Sequence, residues 1–201
     1  LKTISLSSCK SLKYERGSPL RIVNIDLGGG MGIQYEKNSK KLNYKIYNNL
    51  IKKFLKNYDS KIIFEPGRSI IGSAGSLISK ITYIKKTKNK IFVILDCAMN
   101  DFLRPALYGA KHEILPTVKN RKKIKKTTEF VGPICETTDT FLKLSKFQSI
   151  KEGDNIAILN TGAYGMSLSS NYNVRPMPIE ILIKNKKSSV ILKRQKLNEI
   201  T

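Results

Sequence analysis

The pairing in this sequence best able to move a proton is Cys135-Glu136, set in Gly132-Pro133-Ile134-Cys135-Glu136-Thr137-Thr138-Asp139. An unperturbed thiol, with a pKa of about 8.5, is mostly protonated at neutral pH and can donate. The carboxylate beside it can bind an ammonium group. A small packed cysteine is the plainer alternative.

Four further stretches carry chemistry-bearing residues. Asp101-Phe-Leu-Arg104-Pro-Ala-Leu-Tyr108-Gly-Ala-Lys-His112 sets Arg104 and Tyr108 four apart. On a helix that spacing puts both on one face, a pair suited to a carboxylate. A solvated arginine beside a packed tyrosine would look the same. Glu65-Pro66-Gly67-Arg68 offers a carboxylate, a backbone donor and a guanidinium in four residues. Such a carboxylate can hold a protonated ring nitrogen, the arginine a carboxylate. A helix-starting turn with a surface ion pair explains it equally well. Gly28-Gly29-Gly30 lacks side chains, so its N–H groups can approach an anion such as phosphate. No Gly-Lys-Ser/Thr follows, which excludes a nucleotide P-loop. In Gly162-Ala-Tyr164-Gly165-Met, small residues flank Tyr164 and would let a flat group approach it, or they form a turn with a packed aromatic.

These residues need elements to position them. Arg21-Ile-Val-Asn-Ile-Asp-Leu27 reads as a buried strand running into the glycines. From Leu42 to Tyr58 apolar residues recur at helical spacing, with Ile46, Leu50 and Phe54 in one row and Tyr47, Ile51 and Leu55 in the next. Asp59-Ser60 breaks that helix, and Lys61–Phe64 is a second strand. Strand, glycine loop, helix, strand is one unit of a parallel α/β fold, where ligand groups gather at the C-terminal strand ends. Beyond residue 80 the texture becomes β-rich. Strands are expected at Leu77–Lys85, Ile91–Asp96, Glu113–Val118, Thr128–Val131, Asn155–Leu159, Ile179–Ile183 and Val190–Leu192. Turns fall at Lys88-Asn89 and Glu152-Gly153-Asp154, and short helices at Asn100–Tyr108 and Thr138–Leu144. The expected organisation is an α/β piece over residues 1–80 and an all-β domain over 81–201.

The formal net charge of +22 raises the question of nucleic acid or an anionic surface. Lysines scattered among many Asn and Ile supply most of it, as in an AT-rich coding sequence. The dense run from Lys119 to Lys126 reads as a solvated loop. Tryptophan is absent, and no basic-and-aromatic stacking motif occurs. Neither a nucleic-acid partner nor a membrane span is expected. Cys9, Cys97 and Cys135 are odd in number and far apart, which argues against disulfides and zinc and for a reducing, cytoplasmic setting. With His112 the only histidine, no histidine-rich metal site or Ser-His triad is available. The opening segment Leu1–Lys13 has no apolar core of signal-peptide length, and the chain is expected to be a fragment or processed form.

In order and spacing, Asp26-x-Gly-Gly-Gly, Glu-Pro-Gly-Arg, Leu-Arg-Pro-x-Leu-Tyr-Gly-Ala-x-His, Gly-Pro-x-Cys-Glu-x-x-Asp and Gly-Ala-Tyr-Gly-Met resemble the alanine-racemase-like ornithine/diaminopimelate/arginine decarboxylases. These enzymes depend on pyridoxal 5′-phosphate (PLP). The resemblance runs from about Arg21 to Ile183. Glu136, where ornithine-type members carry Asp, and the Arg104/Tyr108 element point to the diaminopimelate branch. The implied fold is a PLP-binding (β/α)8 barrel followed by a C-terminal antiparallel β-domain, of which this chain holds the last barrel strands and the β-domain. The implied activity is decarboxylation of meso-2,6-diaminopimelate to L-lysine.

The resemblance also implies roles. Gly28, Gly29 and Gly30, with Pro66 and Gly67, surround the PLP phosphate. Glu65 pairs with the pyridine nitrogen. Arg68, Arg104 and Tyr108 hold the distal carboxylate of the substrate, and Glu136 its distal ammonium. Cys135 returns a proton to the α-carbon, and Tyr164 lies against cofactor and substrate. Cys135 and Glu136 would act in the site of a partner subunit, which implies a homodimer. Family members carry PLP on a lysine in the N-terminal barrel half, and no lysine here has that context. The chain is therefore expected to be inactive without that half. The competing readings are an ornithine, lysine or arginine decarboxylase of the same fold, and a non-catalytic basic remnant.

Overall fold

The computed structural model describes residues 23–35, 41–56, 58, 60–118 and 122–200. The opening segment, Cys9, Arg16, Arg21, Asp59 and the first part of the lysine run lie outside these. Among the described residues, contacts divide the chain into two compact units: residues up to Gly29 with Asn43–Glu65, and Gly30–Leu42 with Pro66 onward. Residue 80, the expected boundary, falls within a long strand of the second unit.

In the first unit, β1 (Asn24–Asp26) and β2 (Lys61–Ile63) pair in parallel, Ile25 opposite Ile62. The helix α1 (Tyr44–Leu55) connects them. It starts at Asn43, whose side-chain oxygen accepts the N–H groups of Lys45 and Ile46 at 3.0 and 3.1 Å. Lys52 and Lys53 lie in its last turn, where cations complement the exposed carbonyls. Its two apolar rows fare differently. Tyr47, Ile51 and Leu55 are half-buried, with Tyr47 packed on Phe64, whereas Ile46 and Leu50 are exposed.

The second unit opens with a four-residue helix, α2 (Arg68–Ile71), at the Pro-Gly turn. Six strands follow in one sheet: β3 (Ser76–Lys86), β4 (Lys90–Leu95), β5 (Ile114–Pro116), β7 (Thr127–Val131), β8 (Thr140–Leu144) and β10 (Asn155–Leu159). A pair outside that sheet joins β6 (Lys123–Ile124) to β9 (Phe147–Gln148). The sheet order is β5-β10-β3-β4-β7-β8. The neighbours are antiparallel except β4 and β7, which run parallel, a departure from the expected all-antiparallel domain. Alternation sets the buried face: Ile91, Val93 and Leu95 of β4, Phe130 of β7, and Ile156 and Ile158 of β10 point into one core with Ile81 and Phe102. Each such side chain contributes about 1.5–3 kcal/mol by burial.

A final hairpin, β11 (Glu180–Lys184) with β12 (Lys187–Leu192), turns at Asn185-Lys186, both at positive φ. The helix expected at Thr138–Leu144 is strand β8 instead. Its Phe141 enters the core while Thr140 and Leu142 pair with Val131 and Phe130, so the edge of the sheet claims a segment too short to nucleate a helix. The helix expected from Asn100 narrows to α3 (Arg104–Tyr108). It ends at Gly109 in the left-handed conformation, φ 60°. The lysine run is not a loop throughout, because Lys123 lies in β6.

Candidate active site

In the first unit the two ligand loops leave the same end of the parallel pair. The N–H of Leu27 donates to the carbonyl of Ile63, and that of Glu65 to the carbonyl of Gly28 at 2.8 Å. Gly28 takes φ 64° and Gly30 φ 76°, conformations that favour glycine. Gly29 needs to be glycine for another reason, since a Cβ there would lie 2.5 Å from the Glu65 carbonyl oxygen. The N–H of Gly28 is taken by the Asp26 carboxylate at 2.7 Å, so this glycine shapes the turn and is not an open donor. Glu65 is exposed and forms no ion pair among the described residues.

In the second unit, α3 gathers a cluster around one guanidinium. Arg104 is only 5% exposed. One of its terminal nitrogens donates to the Tyr35 hydroxyl at 3.2 Å, and its Nε has no hydrogen-bond partner among the described residues. No carboxylate forms an ion pair with it among the described residues. The rings of Tyr35, Tyr108 and Tyr164 surround it, each centroid 5.6 Å from the guanidinium carbon. The four-residue spacing of Arg104 and Tyr108 thus brings them together on one helical face. Tyr164 is itself at positive φ, 57°, and 47% exposed. Its hydroxyl approaches Gly67, where a Cβ would sit 3.9 Å from it. Gly162 is small for packing: a side chain there would collide with the Ile71 carbonyl and the Gly75 backbone. Arg68 begins α2, and Pro66 precedes it, both half-buried. Tyr35 belongs to this cluster but carried no sequence signal, because it lies in an aperiodic stretch.

The Cys135–Glu136 loop forms a separate group. Both residues are exposed, and Cys135 is a free thiol. The Tyr172 hydroxyl donates to the Glu136 carboxylate at 2.6 Å, which raises the tyrosine's pKa. Among the described residues no hydrogen bond or ring contact joins this pair to Arg104, Tyr108 or Tyr164.

The family model described as "Pyridoxal-dependent decarboxylase, C-terminal sheet domain" matches residues 13–162. The chain belongs to this family. A diaminopimelate decarboxylase of Aquifex aeolicus is 43% identical over 178 residues, covering 88% of this chain and 42% of that protein. One of Helicobacter pylori is 44% identical over 176 residues, covering 88% of this chain and 43% of the relative. The crystal structure of the Helicobacter pylori diaminopimelate decarboxylase complexed with L-lysine matches with a TM-score of 0.80 at 43% identity, over 89% of this chain and 43% of that one. The chain thus spans less than half the length of the curated relatives it matches.

His112, which closes the Arg104 motif, is a core residue of this sheet domain. It is 1% exposed, edge-on to Phe102 and Tyr35. Its Nδ1 lies 2.9 Å from the Leu159 carbonyl, so that nitrogen carries the proton and donates, while Nε2 has no partner among the described residues. Burial lowers its pKa; the Leu159 carbonyl pulls it up, and the Arg104 charge lowers it further. The unfolded chain, with a histidine pKa of about 6.5, binds the proton first as pH falls. Folding stability is therefore complete above about pH 6.5 and is lost below it. In the full-length protein the melting temperature should drop more between pH 7.5 and 5.5 than it does in His112→Gln. Burial raises Asp101 and Asp139, which act in the opposite sense and cancel in that comparison. Equal slopes would remove His112 as the source.

Proposed function

We propose that this chain is the C-terminal part of a diaminopimelate decarboxylase, releasing the α-carboxylate of meso-2,6-diaminopimelate as CO2 to leave L-lysine. The observation that carries the reading is Arg104: buried, with one nitrogen unpartnered among the described residues, and walled by three tyrosines. A substrate carboxylate would satisfy it bidentately. Diaminopimelate has a distal carboxylate, whereas ornithine, lysine and arginine have none.

The residues present fit PLP. The turn at Gly28 leaves the N–H groups of Gly29 and Gly30 as phosphate donors, with Pro66 and Gly67 assigned to the same group. The exposed carboxylate of Glu65 can hold a protonated pyridine nitrogen, and Tyr164 offers a ring face. When bound, PLP supplies the electron sink that lets the α-carboxylate depart. Arg68, Arg104 and Tyr108 orient the substrate by its distal carboxylate, and Glu136 by its distal ammonium. Cys135 returns a proton to the α-carbon. The lysine that carries PLP belongs to the N-terminal half of a (β/α)8 barrel; β1, α1 and β2 would be the last part of that barrel, and the sheet that starts with β3 the β-domain. Among the described residues no hydrogen bond or ring contact ties the exposed Cys135–Glu136 loop to the Arg104 cluster, which suits action in a partner subunit's site and hence a homodimer. Free thiols at Cys97 and Cys135 suit a cytoplasmic enzyme.

The full-length protein, loaded with PLP and offered diaminopimelate, ornithine, lysine and arginine separately, should release CO2 from diaminopimelate alone. Faster release from any of the other three would overturn the substrate assignment and favour a decarboxylase of basic amino acids.

A further inference from the structure

The hydrogen bonds around the Cys135–Glu136 loop converge on a carboxylate that the proposed chemistry leaves without a role. Asp139 is 3% exposed. One carboxylate oxygen accepts the N–H of Ile134 at 2.9 Å, immediately before Cys135, and the other accepts the N–H of Met99 at 2.8 Å. The loop also closes on itself. The N–H of Gly132 donates to the Asp139 carbonyl at 2.9 Å, that of Asp139 to the Glu136 carbonyl at 3.1 Å, and that of Glu136 to the Ile134 carbonyl at 2.8 Å. A side chain on Gly132 would run into the Asp139 carboxylate, so the glycine leaves the room that carboxylate occupies. Burial pushes this carboxyl above its usual range, and the two N–H bonds offset that in part.

The turn that holds Met99 also holds the neighbouring segment. Asn100 accepts the N–H of Ser170 at 2.9 Å through its carbonyl and the Nε of Arg175 at 3.1 Å through its side-chain oxygen. Between those two anchors lies Tyr172, whose hydroxyl reaches Glu136. The two side-chain anchors therefore act at different points: the Asp139 carboxylate holds the backbone just before Cys135, and the Tyr172 hydroxyl holds the Glu136 carboxylate.

We infer that Asp139 is a positioning residue for Cys135, fixing the backbone beside the thiol by accepting one N–H on each carboxylate oxygen. The inference rests on the reading of Cys135 as proton donor. A carboxylate can accept at both oxygens, whereas an amide of the same shape turns an NH2 toward one of the two N–H groups. Asp139→Asn therefore keeps the volume and breaks one anchor.

The test uses the full-length, PLP-loaded enzyme. Asp139→Asn should lower kcat for diaminopimelate on the order of tenfold, the scale of a misplaced reacting group, with KM changed less than about twofold. Tyr172→Phe should do the reverse, raising KM through Glu136 and sparing kcat. In a Cys135→Ala background, Asp139→Asn should lower kcat no further, because the group it positions is gone. An unchanged kcat in Asp139→Asn, a matching rise in KM, or an undiminished loss in the Cys135→Ala background overturns the inference. If Cys135→Ala alone is fully active, the proton-donor reading fails, and the positioning role fails with it. Should Asp139→Asn not fold, Gly132→Ala displaces the same carboxylate and carries the same expectations.

Discussion

In the full-length enzyme, Cys135→Ala should slow turnover by on the order of 10²–10⁴, the usual scale for one acid–base group. Once the α-carboxylate has left, the α-carbon must gain a proton on one face, and a thiol is mostly protonated at neutral pH. Cys135 is exposed on a loop whose backbone is hydrogen-bonded on both sides, so removing the sulfur leaves the surrounding geometry in place. On the proposed reading the group acts after the substrate is bound, so KM for diaminopimelate should change little. Glu136→Gln should behave differently: the ammonium loses its charged partner, and KM rises while kcat is largely kept. Subunit mixing separates action in cis from action across an interface. Cys135→Ala combined with a variant lacking the cofactor lysine should regain one working site per mixed dimer. Full activity in Cys135→Ala would reduce the residue to an exposed thiol without a catalytic role, and failure to complement would assign it to its own subunit's site.

What the sequence made legible was local. The loop at Gly28–Gly30 follows from three glycines after a strand, and the meeting of Arg104 with Tyr108 follows from a four-residue spacing on α3. The turn at Gly153, φ 85°, likewise reads directly from Glu-Gly-Asp. The strands β4, β7 and β10 were legible because alternation and β-branched residues agree there. What stayed hidden depends on partners distant in sequence. Tyr35 meets Arg104 across 69 residues, and Asp139 meets Met99 across 40, with no periodic pattern marking either contact. Thr138–Leu144 is short enough for helix or strand, and only pairing with β7 decides it. The parallel β4–β7 pair is of the same kind, since strand direction depends on the path of a long connection that composition does not record.

Replacing Arg104 should move substrate affinity and stability in opposite directions. A guanidinium buried without a carboxylate is a liability to the folded protein, because desolvation is not repaid by an ion pair. The tyrosine hydroxyl and three ring faces compensate in part, each ring adding an attraction on the order of 1 kcal/mol. The unpartnered Nε and the fixed fork of Arg104 are disposed to take a carboxylate on two nitrogens at once. Arg104→Ala should therefore lose a charge-assisted interaction worth about 1.5–3 kcal/mol, seen as a rise in KM for diaminopimelate of roughly 10- to 150-fold at 1.4 kcal/mol per decade. Arg104→Lys keeps the charge without the fork and should lie between the two. Arg104→Met fills much of the volume with an apolar chain, so without substrate its melting temperature should rise above wild type, as when a buried charge gives way to packing. That pair of signs separates a binding residue from a structural one. If Arg104 served the fold, Arg104→Met would melt earlier with KM unmoved, and the distal-carboxylate assignment would be lost.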